Sequence, residues 1–126
     1  MTTNKTVNTN VFYPELSYLI TGILFSVHNE LGRFEKEKRY CDLIEKKFKE
    51  SKIAYKREHR IGEGENIADF MVDEKIILEL KTVRIITKEN YRQIQNYLQQ
   101  TGIDLGVLVN FRMKYIKPIR VIRVHS

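Results

Sequence analysis

The sequence predicts a single α/β domain with its elements in the order ααβββαββ. Three observations carry this. In the first half of the chain, apolar residues recur at spacings of three and four, the spacing of buried helical stripes. After Ser51 the pattern changes to short apolar runs divided by turn residues, the signature of strands. The length of 126 residues, 42% hydrophobic and 30% charged, suits one globular domain and excludes wholesale disorder.

Residues 1–10 are polar, rich in Thr and Asn and without periodicity, and are expected to form a disordered tail to a domain spanning residues 11–126. Leu16, Leu19, Ile20, Ile23, Leu24, Val27 and Leu31 then form one helical stripe, with Pro14 suited to its first turn and Gly32 to its end. A second helix is expected from about Glu35 to Ser51, burying Tyr40, Leu43, Ile44 and Phe48. Ile53 to Arg60 alternates loosely and reads as a strand, and Ile61-Gly-Glu-Gly-Glu as a loop. Two apolar runs, Ile67 to Val72 and Ile76 to Leu80, are separated by Asp73-Glu74-Lys75 and form a hairpin. Thr87 is placed to cap a helix from Lys88 to Gln100 that Gly102 ends, with Tyr91, Ile94 and Leu98 as its core positions. Leu105 to Val109 and Ile119 to Val124 are the last two strands.

Composition narrows the function classes. Cys41 is the only cysteine, so there is no intramolecular disulfide and no zinc site built on Cys pairs; a small buried residue is expected there. The most apolar stretch, Leu16 to Val27, is broken by Ser17, Thr21 and Gly22, and falls short of the ~18 residues needed to span a bilayer. The polar N-terminus lacks a secretory signal, so a cytoplasmic protein is expected. Gly-rich phosphate loops, dinucleotide fingerprints and Ser-centred elbows are absent. The 22 Lys and Arg against 16 Asp and Glu give a net charge of +6. The excess is clustered: between Arg33 and Arg60, and again in Arg112, Lys114, Lys117, Arg120 and Arg123, where no acid follows Phe111. Such clusters suit phosphates, although a solvated lysine-rich face accounts for them equally well.

The hairpin carries the chemistry. Asp69 lies within an apolar strand, and Glu79 and Lys81 lie within the next. A charge in a strand otherwise built for burial is costly unless it is paired or bound to a metal. A two-residue turn would send Asp69 and Glu79 to opposite faces; the three-residue loop Asp73-Glu74-Lys75 sets them opposite one another. That register also places Ala68, Phe70, Val72, Ile76, Leu78 and Leu80 on one apolar face, with Asp69, Glu79 and Lys81 on the other. Two facing carboxylates repel unless a cation lies between them, and their oxygens suit a hard divalent ion, Mg²⁺ before Mn²⁺. Lys81 points into the same pocket. The competing reading is an ordinary ion pair of Lys81 with Asp69 or Glu79 on an open sheet face.

An Asp on one hairpin strand followed by Glu79-x-Lys81 on the next resembles the PD-(D/E)XK nuclease superfamily. More closely, the chain is similar to the GxxExxY protein family, a branch of that superfamily. The similarity runs from about Leu16 to His125 and takes in Gly32 to Tyr40, the hairpin, Gln93-Ile-Gln-Asn-Tyr97 and Leu105 to Phe111. Two positions depart from the pattern: Phe34 stands where the branch has glycine, and Ala68 where the superfamily motif has proline.

The resemblance implies a restriction-endonuclease-like core, a mixed central sheet with helices on its faces. It implies Asp69, Glu79 and the Leu80 carbonyl as metal ligands, Lys81 as the catalytic lysine, and Glu37 as a third carboxylate. Tyr40 matches the branch's tyrosine. Gln93 and Tyr97 share a helix face, where they could contact nucleic acid or brace Lys81. The expected function is a Mg²⁺-dependent nuclease, with Arg112, Lys114 and Arg120 among the residues holding the backbone, and DNA ahead of RNA as substrate. The alternative is a catalytically weak or inactive module of the same fold that binds nucleic acid or a protein partner. So small a domain leaves room for a homodimer or a partner protein.

Overall fold

The computed structural model describes residues 12–125, so the tail expected over residues 1–10 lies outside the described residues. The elements are α1 (Pro14–Leu31), α2 (Glu37–Glu50), β1 (Tyr55–Arg60), β2 (Ile67–Val72), β3 (Ile76–Lys81), α3 (Lys88–Thr101), β4 (Leu105–Asn110) and β5 (Ile119–Ile122), in the order expected. The strands form one five-stranded sheet in the order β1-β2-β3-β4-β5. Only β3 and β4 run parallel, and α3 makes the crossover between them.

Helices cover both faces. On one, α1 and α2 bury Ile20, Leu24, Val27, Tyr40, Ile44 and Phe48 against Phe70, Val72, Leu78, Leu80 and Val107. On the other, Ile94, Tyr97 and Leu98 of α3 pack with Met71, Ile77 and Leu108. This double coverage explains why β4 is buried along its whole length and reads as an unbroken apolar run. Gly106 permits the close approach of α3: a β-carbon there would lie 2.7 Å from Ile94 Cδ1 and 3.0 Å from its Cγ1. Gly106→Ala is therefore expected to lower stability by roughly 1–3 kcal/mol through overpacking, read as a lower urea midpoint at unchanged slope.

The hairpin adopts the three-residue connection. Val72 pairs with Ile76 and Phe70 with Leu78, while Asp73 and Glu74 take left-handed backbone angles and the Lys75 N–H donates to the Val72 carbonyl at 2.9 Å. Helix α3 starts where expected, with a capping box between Thr87 and Asn90, and ends at left-handed Gly102.

Three expectations about packing are corrected. Leu19 is 52% exposed, while Ser17, two residues before it and on the opposite side of the helix, is buried and accepts from Arg120 Nε at 2.9 Å. Tyr91 is exposed and Tyr97 buried: both flank the Ile94–Leu98 stripe, and the helix presents the Tyr97 flank to the sheet. Ala68 packs with Met71 and Ile77 rather than with Phe70, because the β1–β2 ladder skips one rung. Arg57 pairs with Phe70 and His59 with Ala68, but Glu58, at φ 53°, leaves Asp69 unpaired between them.

Candidate active site

The skipped rung is where the charged residues meet. The β2–β3 ladder also stops at Phe70 and Leu78, one position short of Asp69 and Glu79. Side chains then take over from the main chain. Glu79 Oε1 accepts from the Asp69 N–H at 2.8 Å, and Asp69 Oδ2 accepts from the Leu80 N–H at 2.7 Å. Each carboxylate thus satisfies an amide on the opposite strand and is locked in place. Glu79 is withdrawn from water at 4% exposed, and Asp69 is partly buried beside it. Burial, and then the neighbouring Asp69 charge, push the Glu79 carboxyl up to about 8. Burial likewise raises Asp69.

Lys81, at the end of β3, is half-buried. Its Nζ donates to Gln93 Oε1 at 2.9 Å and lies 3.8 Å from Glu79 Oε2. Gln93 therefore braces the lysine. Tyr97, one turn further along α3, is 3% exposed and hydrogen-bonds with Gln93, and its hydroxyl is raised by burial and then by Glu79 and Asp69. The Tyr97 side chain is thus largely shielded from solvent and lies against Gln93, the partner of Lys81.

Glu37, in the first turn of α2, is solvent-facing, yet partial burial and the Asp69 charge raise its carboxyl. It shares a cleft of about 250 Å³ with Lys38, Cys41, Arg57, Glu58 and Asp69. Among the described residues, no three metal-ligating side chains form a cluster. Glu37 thus stands at the solvent-facing end of α2, on the cleft it shares with Asp69, rather than in one cluster with Asp69 and Glu79. Cys41 is a buried thiol pushed up to about 12 by burial and then by Asp69, so it remains protonated.

The oxygen chemistry fits a hard divalent cation. A buried carboxylate and a partly buried one lie together with a single ammonium nearby, and each has already given one oxygen to a backbone amide. A dication would offset the burial that raises both groups and the Asp69 charge that further raises Glu79.

The expected nucleic-acid residues divide. Arg112 and Lys114 lie in the connection after β4, while Arg120, in β5, is tied to Ser17 of α1 within the packing between those elements. One residue was missed. Asn110, buried at the end of β4, pairs with Lys81 across the parallel ladder. Its amide donates to the Val83 carbonyl at 2.7 Å, and its Oδ1 accepts from the Val83 and Arg112 N–H groups. It ties the chain just after the lysine to the end of β4. The available signal was a polar residue closing the apolar run Leu105 to Val109.

Among the described residues no helix is long and apolar enough to cross a membrane. A family model described as the PD-(D/E)XK nuclease superfamily matches residues 14–124. No curated protein and no solved structure matches the chain.

Proposed function

The chain belongs to the PD-(D/E)XK nuclease superfamily, and from that premise we propose that it is a metal-dependent nuclease hydrolysing phosphodiester bonds, with DNA ahead of RNA as substrate. The observation that supports this best is the reciprocal locking of Asp69 and Glu79 beside Lys81, which holds two carboxylates, Glu79 buried and Asp69 partly so, and an ammonium in one place. Asp69, Glu79 and the Leu80 carbonyl are the proposed ligands, with Glu37 at the cleft mouth and Mg²⁺ ahead of Mn²⁺ as the ion. The ion supplies Lewis-acid stabilisation of charge at the phosphate.

The chain's own residues supply the rest. Lys81, held between Gln93 and Glu79, orients a water beside the phosphate and offsets negative charge growing on the phosphoryl oxygens. The water oxygen bonds to phosphorus and gives up one proton as the bond to the leaving oxygen breaks, and the leaving oxygen takes up one proton through solvent, so the two balance. Arg112 and Lys114 attract the backbone without reading bases, so binding is expected to be salt-sensitive and sequence-tolerant. Within the superfamily we place the chain in the GxxExxY branch on Glu37 and Tyr40, and we place it in the cytoplasm, working with a second copy or a partner protein.

A second reading has one observation in its favour. The absence of a third metal-ligating side chain from the described cluster suits a module that binds nucleic acid without turnover. Labelled single- and double-stranded DNA and RNA, incubated with Mg²⁺, Mn²⁺ or EDTA, separate the two. The nuclease reading expects metal-dependent cleavage by the parent and none by Asp69→Ala or Glu79→Ala. Equal cleavage by all three proteins would assign the activity to a contaminant. No cleavage by a folded parent that binds metal would leave the binding module.

A further inference from the structure

We propose that Phe34, with the guanidinium groups of Arg33 and Arg112, forms a stacking platform for the bases of single-stranded nucleic acid at the rim of the nuclease site. The choice of ligand rests on the nuclease reading above.

Phe34 is 73% exposed and belongs to neither core. A single exposed aromatic needs no explanation, but this one is assembled into a cluster. The Arg33 and Arg112 guanidinium carbons lie 4.9 and 5.4 Å from its ring centroid. Arg33 Nε donates to the Arg112 carbonyl at 2.8 Å, joining two loops that are distant in sequence. Beneath them, Tyr40 stacks on Phe111 at 4.3 Å with the rings 15° apart. The Tyr40 hydroxyl donates to the Gly32 carbonyl at 2.6 Å and accepts from the Glu35 N–H at 3.2 Å, closing the turn that carries Phe34. The backbone turn that carries Phe34 is thus braced before any ligand arrives, which lowers the ordering cost of binding.

Both halves are attached to the catalytic segments. Phe34 precedes Glu37 by one helical turn's worth of chain. Phe111 donates its N–H to the Lys81 carbonyl at 2.9 Å, and Arg112 follows directly. Three planar groups, two of them cationic, match an alternation of flat bases and anionic phosphates. In a duplex the base faces are covered by their neighbours, so only unpaired bases can use such a surface.

The chain contains no tryptophan, so Phe34→Trp would introduce the sole indole at the proposed contact. Its fluorescence is to be titrated with a single-stranded DNA oligonucleotide and with the blunt duplex of the same sequence, in EDTA so that binding is read without cleavage. Affinities of the parent and Phe34→Ala are to be measured alongside. The platform predicts quenching by the single strand and little change with duplex. It also predicts that Phe34→Ala weakens single-strand binding by about tenfold or more at unchanged duplex affinity, with melting temperature preserved. Unchanged single-strand affinity in Phe34→Ala, or equal losses for single strand and duplex, would overturn the platform while leaving the nuclease reading intact. A parent that binds neither form would remove both.

Discussion

Lys81→Met is expected to lower the single-turnover cleavage rate by about 10²–10³-fold while leaving divalent-ion binding in place. Methionine keeps the unbranched apolar stem and removes the ammonium that sits between Gln93 Oε1 at 2.9 Å and Glu79 Oε2 at 3.8 Å. The carboxylate pair survives, so a metal-induced rise in melting temperature should persist. Gln93→Leu should fall between parent and Lys81→Met, because it loosens the lysine without removing it. Lys81→Arg should recover little, since a planar fork cannot occupy a point-charge position between an amide and a carboxylate. Cleavage by Lys81→Met within tenfold of the parent would take the lysine out of the chemistry.

The second large effect is on stability. Glu79 is raised to about 8 from 4.5 in the unfolded chain, and Asp69 is raised as well. The folded state therefore holds more protons than the unfolded state over this interval, and stability must fall as pH rises. The contribution from Glu79 is fully present below about pH 4.5 and is lost as pH climbs through about 8. Without metal, the protein should melt on the order of 10 °C lower at pH 9 than at pH 6. Divalent ions bind the deprotonated pair, so their stabilising effect should grow over the same range. Asp69→Asn keeps an oxygen for the Leu80 N–H and removes one of the two charges. It should flatten the pH dependence, raise the metal-free melting temperature at pH 9, and abolish both the metal response and cleavage. Parallel pH profiles for parent and Asp69→Asn would refute the coupling of the two carboxylates.

The sequence revealed those features that depend on neighbours along the chain. The hairpin register follows from apolar alternation across a three-residue connection, and it sets Asp69 against Glu79. The capping pair at Thr87 and the stop at Gly102 are equally local. What escaped depends on contacts across the fold. Ser17 is buried because Arg120, far along the chain, reaches it. Tyr91 and Tyr97 flank one stripe at equivalent spacing, and only the seating of α3 on the sheet decides between them. Asn110 gained its meaning from Val83 and Arg112, which its own strand does not contain. The shift at Ala68 comes from a left-handed Glu58, a residue type that gives no warning of that conformation.

The exchange of main-chain for side-chain hydrogen bonds at Asp69 and Glu79 also bears on how this chemistry can be lost over generations. Each carboxylate is at once a proposed metal ligand and a rung of the hairpin. Replacement by alanine would remove both at once and leave a buried amide without a partner. Asparagine at 69 or glutamine at 79 would retire the chemistry and keep the rung. Each of those changes, and its reversal, is a single base substitution in the codon. A lineage that stops cutting is thus expected to drift to the amides first, and to remain one mutation away from cutting again.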